Sequence, residues 1–177
     1  EEERDVLVNV NGQELGDVEN LLFANRILAF CHDAASRFDS SIYYFGEILA
    51  LAEQLGKAGD QASALNSLGV EYYRMGQHEK AQEYYKKALE KYEVLGDTVS
   101  MALSYNNIGL LYRDMGQPER AMEYLFPGLE IAEAAGVPAH VVARKGFDSV
   151  EAFSGAMNEV LAPYEIDLAL LAGFLSL

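Results

Sequence analysis

The chain has 177 residues, of which 50% are apolar, enough to bury the core of one compact domain or a short repeat array. Thirteen Lys and Arg stand against 28 Asp and Glu, a net charge of −15. That balance argues against nucleic acid, whose phosphates need basic side chains to neutralise them, and against anionic membrane surfaces. Cys31 is the only cysteine, so no intrachain disulfide can form, and a reducing, cytoplasmic compartment is expected.

Residues 1–16, EEERDVLVNVNGQELG, lack a helical period. Val6, Val8 and Val10 alternate as in a strand, and Asn11-Gly12 signals a turn. With no second strand to pair with, this stretch reads as an extended arm. No secretory leader is read at Glu1, and the absence of an initiator Met reads as a processed or excised chain.

Residues 17–56 take their meaning from the two segments C-terminal to them. Asn66–Gly96, NSLGVEYYRMGQHEKAQEYYKKALEKYEVLG, is nearly repeated without a gap as Asn106–Gly136, NNIGLLYRDMGQPERAMEYLFPGLEIAEAAG. The shared positions include Gly69/Gly109, Tyr72/Tyr112, Gly76/Gly116, Ala81/Ala121, Tyr84/Tyr124 and Leu89/Leu129. A fixed period of this size marks a stacked array. Within it, Leu65, Leu68, Tyr72 and Tyr73 keep helical spacing, Met75-Gly76-Gln77 breaks it, and Ala81, Tyr84, Tyr85, Ala88 and Leu89 resume it. Each repeat is therefore a helical hairpin. Gly69 and Ala81 are small where the helices must approach, and Tyr72 and Tyr85 fill the space beside them. One period earlier, Leu28, Ala29, His32, Ser36, Ser41, Phe45, Ile48 and Leu49 fall on the same places, so 17–56 reads as a divergent first repeat. Asp17 is expected to cap its first helix, and Asp39 or Ser40 its second.

The pattern L-x-x-L-G-x-x-Y, then Gly, then A-x-x-x-Y-x-x-A-L is carried by Leu65, Leu68, Gly69, Tyr72, Gly76, Ala81, Tyr85, Ala88 and Leu89. Tyr105, Ile108, Gly109, Tyr112, Gly116, Ala121, Leu125, Gly128 and Leu129 carry it again. This resembles the tetratricopeptide repeat. A longer period than the usual one of about 34 residues is similar to the adaptor-type branch, as in kinesin light chains, G-protein-signalling adaptors and bacterial regulatory tetratricopeptide proteins. The resemblance implies an all-α fold, a right-handed α-solenoid of three hairpin repeats at 17–56, 57–96 and 97–136. Residues 137–177 are then a helical cap or a degenerate fourth repeat.

The second helices are expected at roughly Glu79–Leu95 and Glu119–Ala135. Pro118 suits a first helical turn. Pro127, inside the last of these helices, is expected to kink or interrupt it. Beyond Gly136 helical character continues without the motif. The final stretch is apolar nearly all round, through Ile166, Leu168, Leu170, Leu171, Phe174, Leu175 and Leu177, which is the pattern of a helix covered on most sides. It is too short to span a bilayer.

Catalytic chemistry has little to stand on. His32, His78 and His140 are the histidines, and none shares a metal or nucleophile spacing with Cys31, since adjacent helical residues face different ways. His32 falls on an aromatic core place and reads as a packed side chain. No phosphate-loop, dinucleotide or zinc-protease motif occurs, and no enzyme activity, metal or cofactor is expected.

Binding is better supported. In the resembled family the first helices of the hairpins line a concave groove that reads an extended or helical peptide. Carried over position by position, those places are Phe23, Arg26, Phe30, Asp33 and Ala34, then Ser63, Asn66, Val70, Tyr73 and Arg74, then Leu103, Asn106, Leu110, Arg113 and Asp114. Asn66 and Asn106 recur there, and amides both donate to and accept from a partner backbone. Arg26, Arg74 and Arg113 could fork onto a carboxylate, or pair with Asp33, Asp114 or Glu71 and hold helices together. The lysine and second asparagine of the family's dicarboxylate clamp have no clear counterpart, so no co-chaperone role is expected. The expectation is a scaffold for a protein or peptide partner. The alternative is a self-assembly or regulatory sensor module in which Ile166, Leu170, Leu171 and Phe174 fill the chain's own groove or that of a second copy, as a homodimer.

Overall fold

The computed structural model describes residues 15–136 together with 148, 149, 152, 154–156 and 159. It is all-α, with helices α1 (Leu15–Ala34), α2 (Phe38–Gln54), α3 (Ala58–Arg74), α4 (His78–Leu95), α5 (Thr98–Asp114) and α6 (Pro118–Ala134). Helices α1–α4 belong to one compact unit, Glu1–Asp97, and α5 and α6 to a second, Thr98–Leu177.

Consecutive helices pair as hairpins, and the connections share one geometry. A residue with left-handed backbone recurs at Ser36, Gly56, Gly76, Gly96, Gly116 and Gly136. Around Gly76, its own N–H donates to the Tyr73 carbonyl and the Gln77 N–H to the Tyr72 carbonyl, both at 2.9 Å. This is the Schellman closure of a helix C-terminus. Gln77 is at the same time the N-cap of α4, and the Ala81 N–H donates to its carbonyl at 3.0 Å. One residue thus ends one helix and begins the next. The N-caps of α2, α3, α4 and α6 make no side-chain cap hydrogen bond. The N-cap of α2 is Arg37 without a side-chain hydrogen bond, and Asp39 lies in the first turn, so neither Asp39 nor Ser40 is the expected cap. Asp17, expected to cap α1, lies inside that helix. That helix begins at Leu15, one turn before the buried Val18, and so takes in the last two residues of the expected arm. The remainder of the arm lies outside the described residues.

Each hairpin closes by setting a small residue against a large one. A Cβ added at Gly69 would lie 2.5 Å from the Tyr85 ring, and one at Gly109 2.5 Å from Leu125 Cδ2. In the first hairpin Ala29 and Phe45 hold these places, both buried in the same core, and Ser41 Oγ donates to the Ala29 carbonyl at 3.2 Å. A second contact recurs at the turn end, where His32 stacks on Tyr44, Tyr72 on Tyr84 and Tyr112 on Tyr124, with centroids 5.3–5.4 Å apart. His32 is the half-buried, packed side chain that its place in the period implied. Between hairpins of the first unit, Leu22, Phe45, Ile48, Ala52, Ala64 and Leu68 form one core, and Gln61 Nε2 donates to the Ala52 carbonyl at 3.1 Å.

Pro127 does not interrupt its helix. Helix α6 is continuous from Pro118 to Ala134 with Pro127 inside it. The carbonyl left without its N–H partner belongs to Glu123, an exposed residue that water can reach. The next residue, Gly128, is buried against α5, where an added Cβ would meet Tyr105 Cβ at 2.9 Å. Packing on both sides of the proline therefore holds the helix together.

Stability should respond in two ways, both read by chemical denaturation. Gly69→Ala should cost about 1–3 kcal/mol, the usual range for overpacking, and Gly109→Ala less, because Leu125 is only half-buried and can move while Tyr85 cannot. Equal costs would contradict this closure. Pro127→Ala should stabilise the chain, by up to about 3 kcal/mol, the helix-interior penalty of proline relative to alanine.

Candidate functional site

From Val18 onward, the acids and arginines of α1 are laid out along one line. They are Glu19, Arg26 and Asp33, each seven residues from the last and so on one side of the helix. All three bond to the neighbourhood of α3. Lys57 Nζ meets Glu19 Oε1 at 2.7 Å, Arg26 Nη2 meets Asp60 Oδ1 at 3.0 Å, and Arg74 Nη1 pairs with Asp33 Oδ1. In the second unit Arg113 pairs with its neighbour Asp114 at 2.7 Å. Each of the three arginines expected in the groove therefore has a carboxylate of its own chain. These pairs are partly exposed, and such pairs are worth about 0–1 kcal/mol each.

Behind the Arg74–Asp33 pair lies a carboxyl that the sequence marks only as a possible arginine partner. Glu71 is 1% exposed, and its Oε2 has no donor. Burial is the largest cause pushing its pKa from 4.5 up to about 6. The Asp33 carboxylate adds to the rise, while the Ser41 hydroxyl and the Arg74 guanidinium oppose it. An open depression of about 370 Å³ adjoins the pair, lined by Asp33, Ala34, Ser36, Phe38 and Arg74.

Apolar side chains are the other component. Phe23 is 63% exposed and Phe30 53%, two turns apart on one side of α1, and Phe30 meets the buried Phe45 edge-on at 5.6 Å. On α3, Asn66, Val70 and Tyr73 are half-buried, with the Tyr73 ring 6.2 Å from that of His78. In the second unit Leu110 is half-buried, whereas Asn106 is only 9% exposed and its Oδ1 is buried without a partner. Asn106 differs in this from Asn66, its counterpart one period earlier. Ile166, Leu170, Leu171 and Phe174 lie outside the described residues. Among the described residues no group of three His, Cys, Asp or Glu is placed to hold a metal, and no helix is long and apolar enough to cross a membrane.

A family model of the tetratricopeptide repeat matches residues 19–94 and, in an overlapping register, 60–134. The chain belongs to the tetratricopeptide repeat family. Tetratricopeptide repeats are generally protein–protein interaction modules and typically non-catalytic scaffolds. Solved structures with this fold include the tetratricopeptide domain of Arabidopsis FLU, at 18% identity and a TM-score of 0.62 over 66% of this chain and 98% of that one. Aspartyl phosphate phosphatase F from Bacillus subtilis aligns at 21% identity and a TM-score of 0.66, over 86% of this chain and 39% of the phosphatase. BtubC from P. vanneervenii aligns at 20% identity and a TM-score of 0.55, over 89% and 71%. At these identities the likeness is one of fold. No curated protein matches the chain.

In this tetratricopeptide chain the buried Glu71 gives stability a definite pH dependence. A carboxyl whose pKa is raised in the folded state contributes fully below its unfolded value of 4.5, and the contribution is lost as the pH rises through about 6. Glu71→Gln, similar in shape and without charge, should gain stability over the native chain as the pH rises across that window and hold the gain above it. Urea denaturation of both proteins at successive pH values checks this, and a pH-independent difference would contradict it.

Proposed function

We propose that the chain is a non-catalytic scaffold that binds a peptide segment of a protein partner along the first helices of its hairpins, with bulky apolar residues as the anchors. The observation that carries this reading is the exposure of Phe23 and Phe30 on α1, beside a line of charges already satisfied within the chain. A free arginine in such a groove would select an acidic ligand. Here Arg26 and Arg74 are engaged by Asp60 and Asp33, and a ligand carboxylate must first displace those partners. Apolar contact faces no such competition, and aromatic side chains in a partly desolvated groove are the residues on which binding energy usually concentrates. Val70 on α3, half-buried one period after Phe30, extends the apolar face, with Asn66 and Tyr73 on the same side of that helix. The acidity of the chain, −15, adds a long-range preference for partners with basic residues outside the anchor contacts.

Selection from a displayed random-peptide library, followed by titration of the recovered peptide, tests this. The recovered sequences should carry two bulky apolar residues. Phe23→Ala should weaken their binding by more than about tenfold, the loss of one hot-spot contact, with thermal unfolding unchanged because the side chain lies mostly in solvent. Arg74→Ala should change affinity far less. Affinity that survives Phe23→Ala and collapses with Arg74→Ala would overturn the apolar reading in favour of carboxylate recognition.

A further inference from the structure

Internal repetition shows what one face of α1 is built to meet. On α3, the line formed by Gln61, Ala64, Leu68 and Glu71 is turned to α2. Ala64, Leu68 and Glu71 are buried, and Gln61 donates to the α2 backbone. One period earlier the same line on α1 is Leu21, Ala24, Leu28 and Cys31. Here it is open. Leu21 is 50% exposed, Leu28 40%, and Ala24 and Cys31 are exposed as well. Ile27, beside this line, is 49% exposed. A helix with apolar residues on opposite sides is normally covered on both.

The residues themselves point to the cover. Positions 21, 24, 28 and 31 follow the alternating three- and four-residue spacing of a coiled-coil seam, with leucine at each first place and a small side chain, Ala or Cys, at each second. Turned antiparallel about a two-fold axis, this seam complements itself. In a single register Leu21 falls on the partner's Cys31 and Ala24 on the partner's Leu28, so large meets small in every layer and the two backbones can approach closely. Ile27 then flanks the axis, next to the partner's Ile27. Charge adds a second condition. Each copy carries −15, so two copies repel wherever carboxylates meet. Glu19, Arg26 and Asp33 lie on another line of α1, bonded towards α3, so between positions 21 and 31 the seam carries no charge.

We propose that two copies of the chain associate through antiparallel packing of their α1 helices along Leu21, Ala24, Leu28 and Cys31. This surface is separate from the Phe23–Phe30 anchors, so the dimer and the peptide site can stand or fall independently. Closed two-fold association of this kind buries the same patch on both partners. It should strengthen with salt, which screens the mutual repulsion of the acidic copies.

Sedimentation velocity over a concentration series, joined to cysteine cross-linking, decides the matter. The native chain should sediment with twice its monomer mass. Ile27→Glu should sediment as a monomer with the same helical circular dichroism, and Phe23→Ala should stay dimeric. Leu21→Cys should be captured by mild oxidation as a covalent dimer on a non-reducing gel, because the new thiol lies against the partner's Cys31. The native chain should not, because its two cysteines sit at opposite ends of the seam. Native protein that is monomeric throughout, with no capture of Leu21→Cys, would overturn the proposal. So would equal capture of the native chain, which requires another register. A dimer that survives Ile27→Glu and is dissolved by Leu170→Glu with Leu171→Glu would place the interface on the C-terminal segment and likewise overturn it.

Discussion

The contact on which the described structure depends is the meeting of a residue with almost no side chain and one with a large side chain inside each hairpin. Gly69 against Tyr85 and Gly109 against Leu125 set how closely the two helices run, and Ala29 with Phe45 does the same in the first hairpin. Close packing of this type leaves no room for a methylene on the small side. It also explains why the connections can be so short. Once the helices are held this near, a single left-handed residue and a Schellman closure of backbone hydrogen bonds carry the chain from one to the next. The repeated ring stacks then fix the turn end of each hairpin at nearly the same centroid distance.

Because closure uses only the facing sides of the helices, the other sides of α1 and α3 are left for different work. On α1 the division is clear. Its inward side carries Val18, Leu22, Asn25 and Ala29, all buried. Glu19, Arg26 and Asp33 form the line bonded to Lys57, Asp60 and Arg74. Leu21, Phe23, Ile27, Leu28 and Phe30, outside both lines, are apolar and exposed. The ion pairs are worth little in stability, and they engage Arg26 and Arg74 with carboxylates of the same chain. Where the same cluster turns inward, at Glu71, it becomes costly, because a carboxyl taken out of water favours its proton.

Much of this fold was legible in the sequence, for a physical reason. A forty-residue period repeats not only identities but sizes, so Ala29, Ser41 and Phe45 could be read by their places where their identities had diverged. The features that were not legible depend on tertiary context. Pro127 broke the local rule for helices, yet Gly128 and the packing of α6 on α5 hold the helix continuous. The partner of Arg26 is Asp60, a residue no spacing rule connects to it. The burial of Glu71 left a faint signal, since it stands where Leu111 stands one period later, and Leu111 is fully buried. Asn66 and Asn106 share a place in the period but not an environment, so identity at a repeated place did not fix exposure.

A double-mutant cycle between positions 69 and 85 tests the central constraint most directly. Gly69→Ala, Tyr85→Leu and the pair together would each be unfolded in urea. If hairpin closure rests on the small residue fitting the large one, Tyr85→Leu removes the rigid ring that the added methyl strikes, and the two changes should couple by about 0.5–3 kcal/mol, the range for residues in contact. Costs that simply add would mean that the two helices are held by something other than this contact.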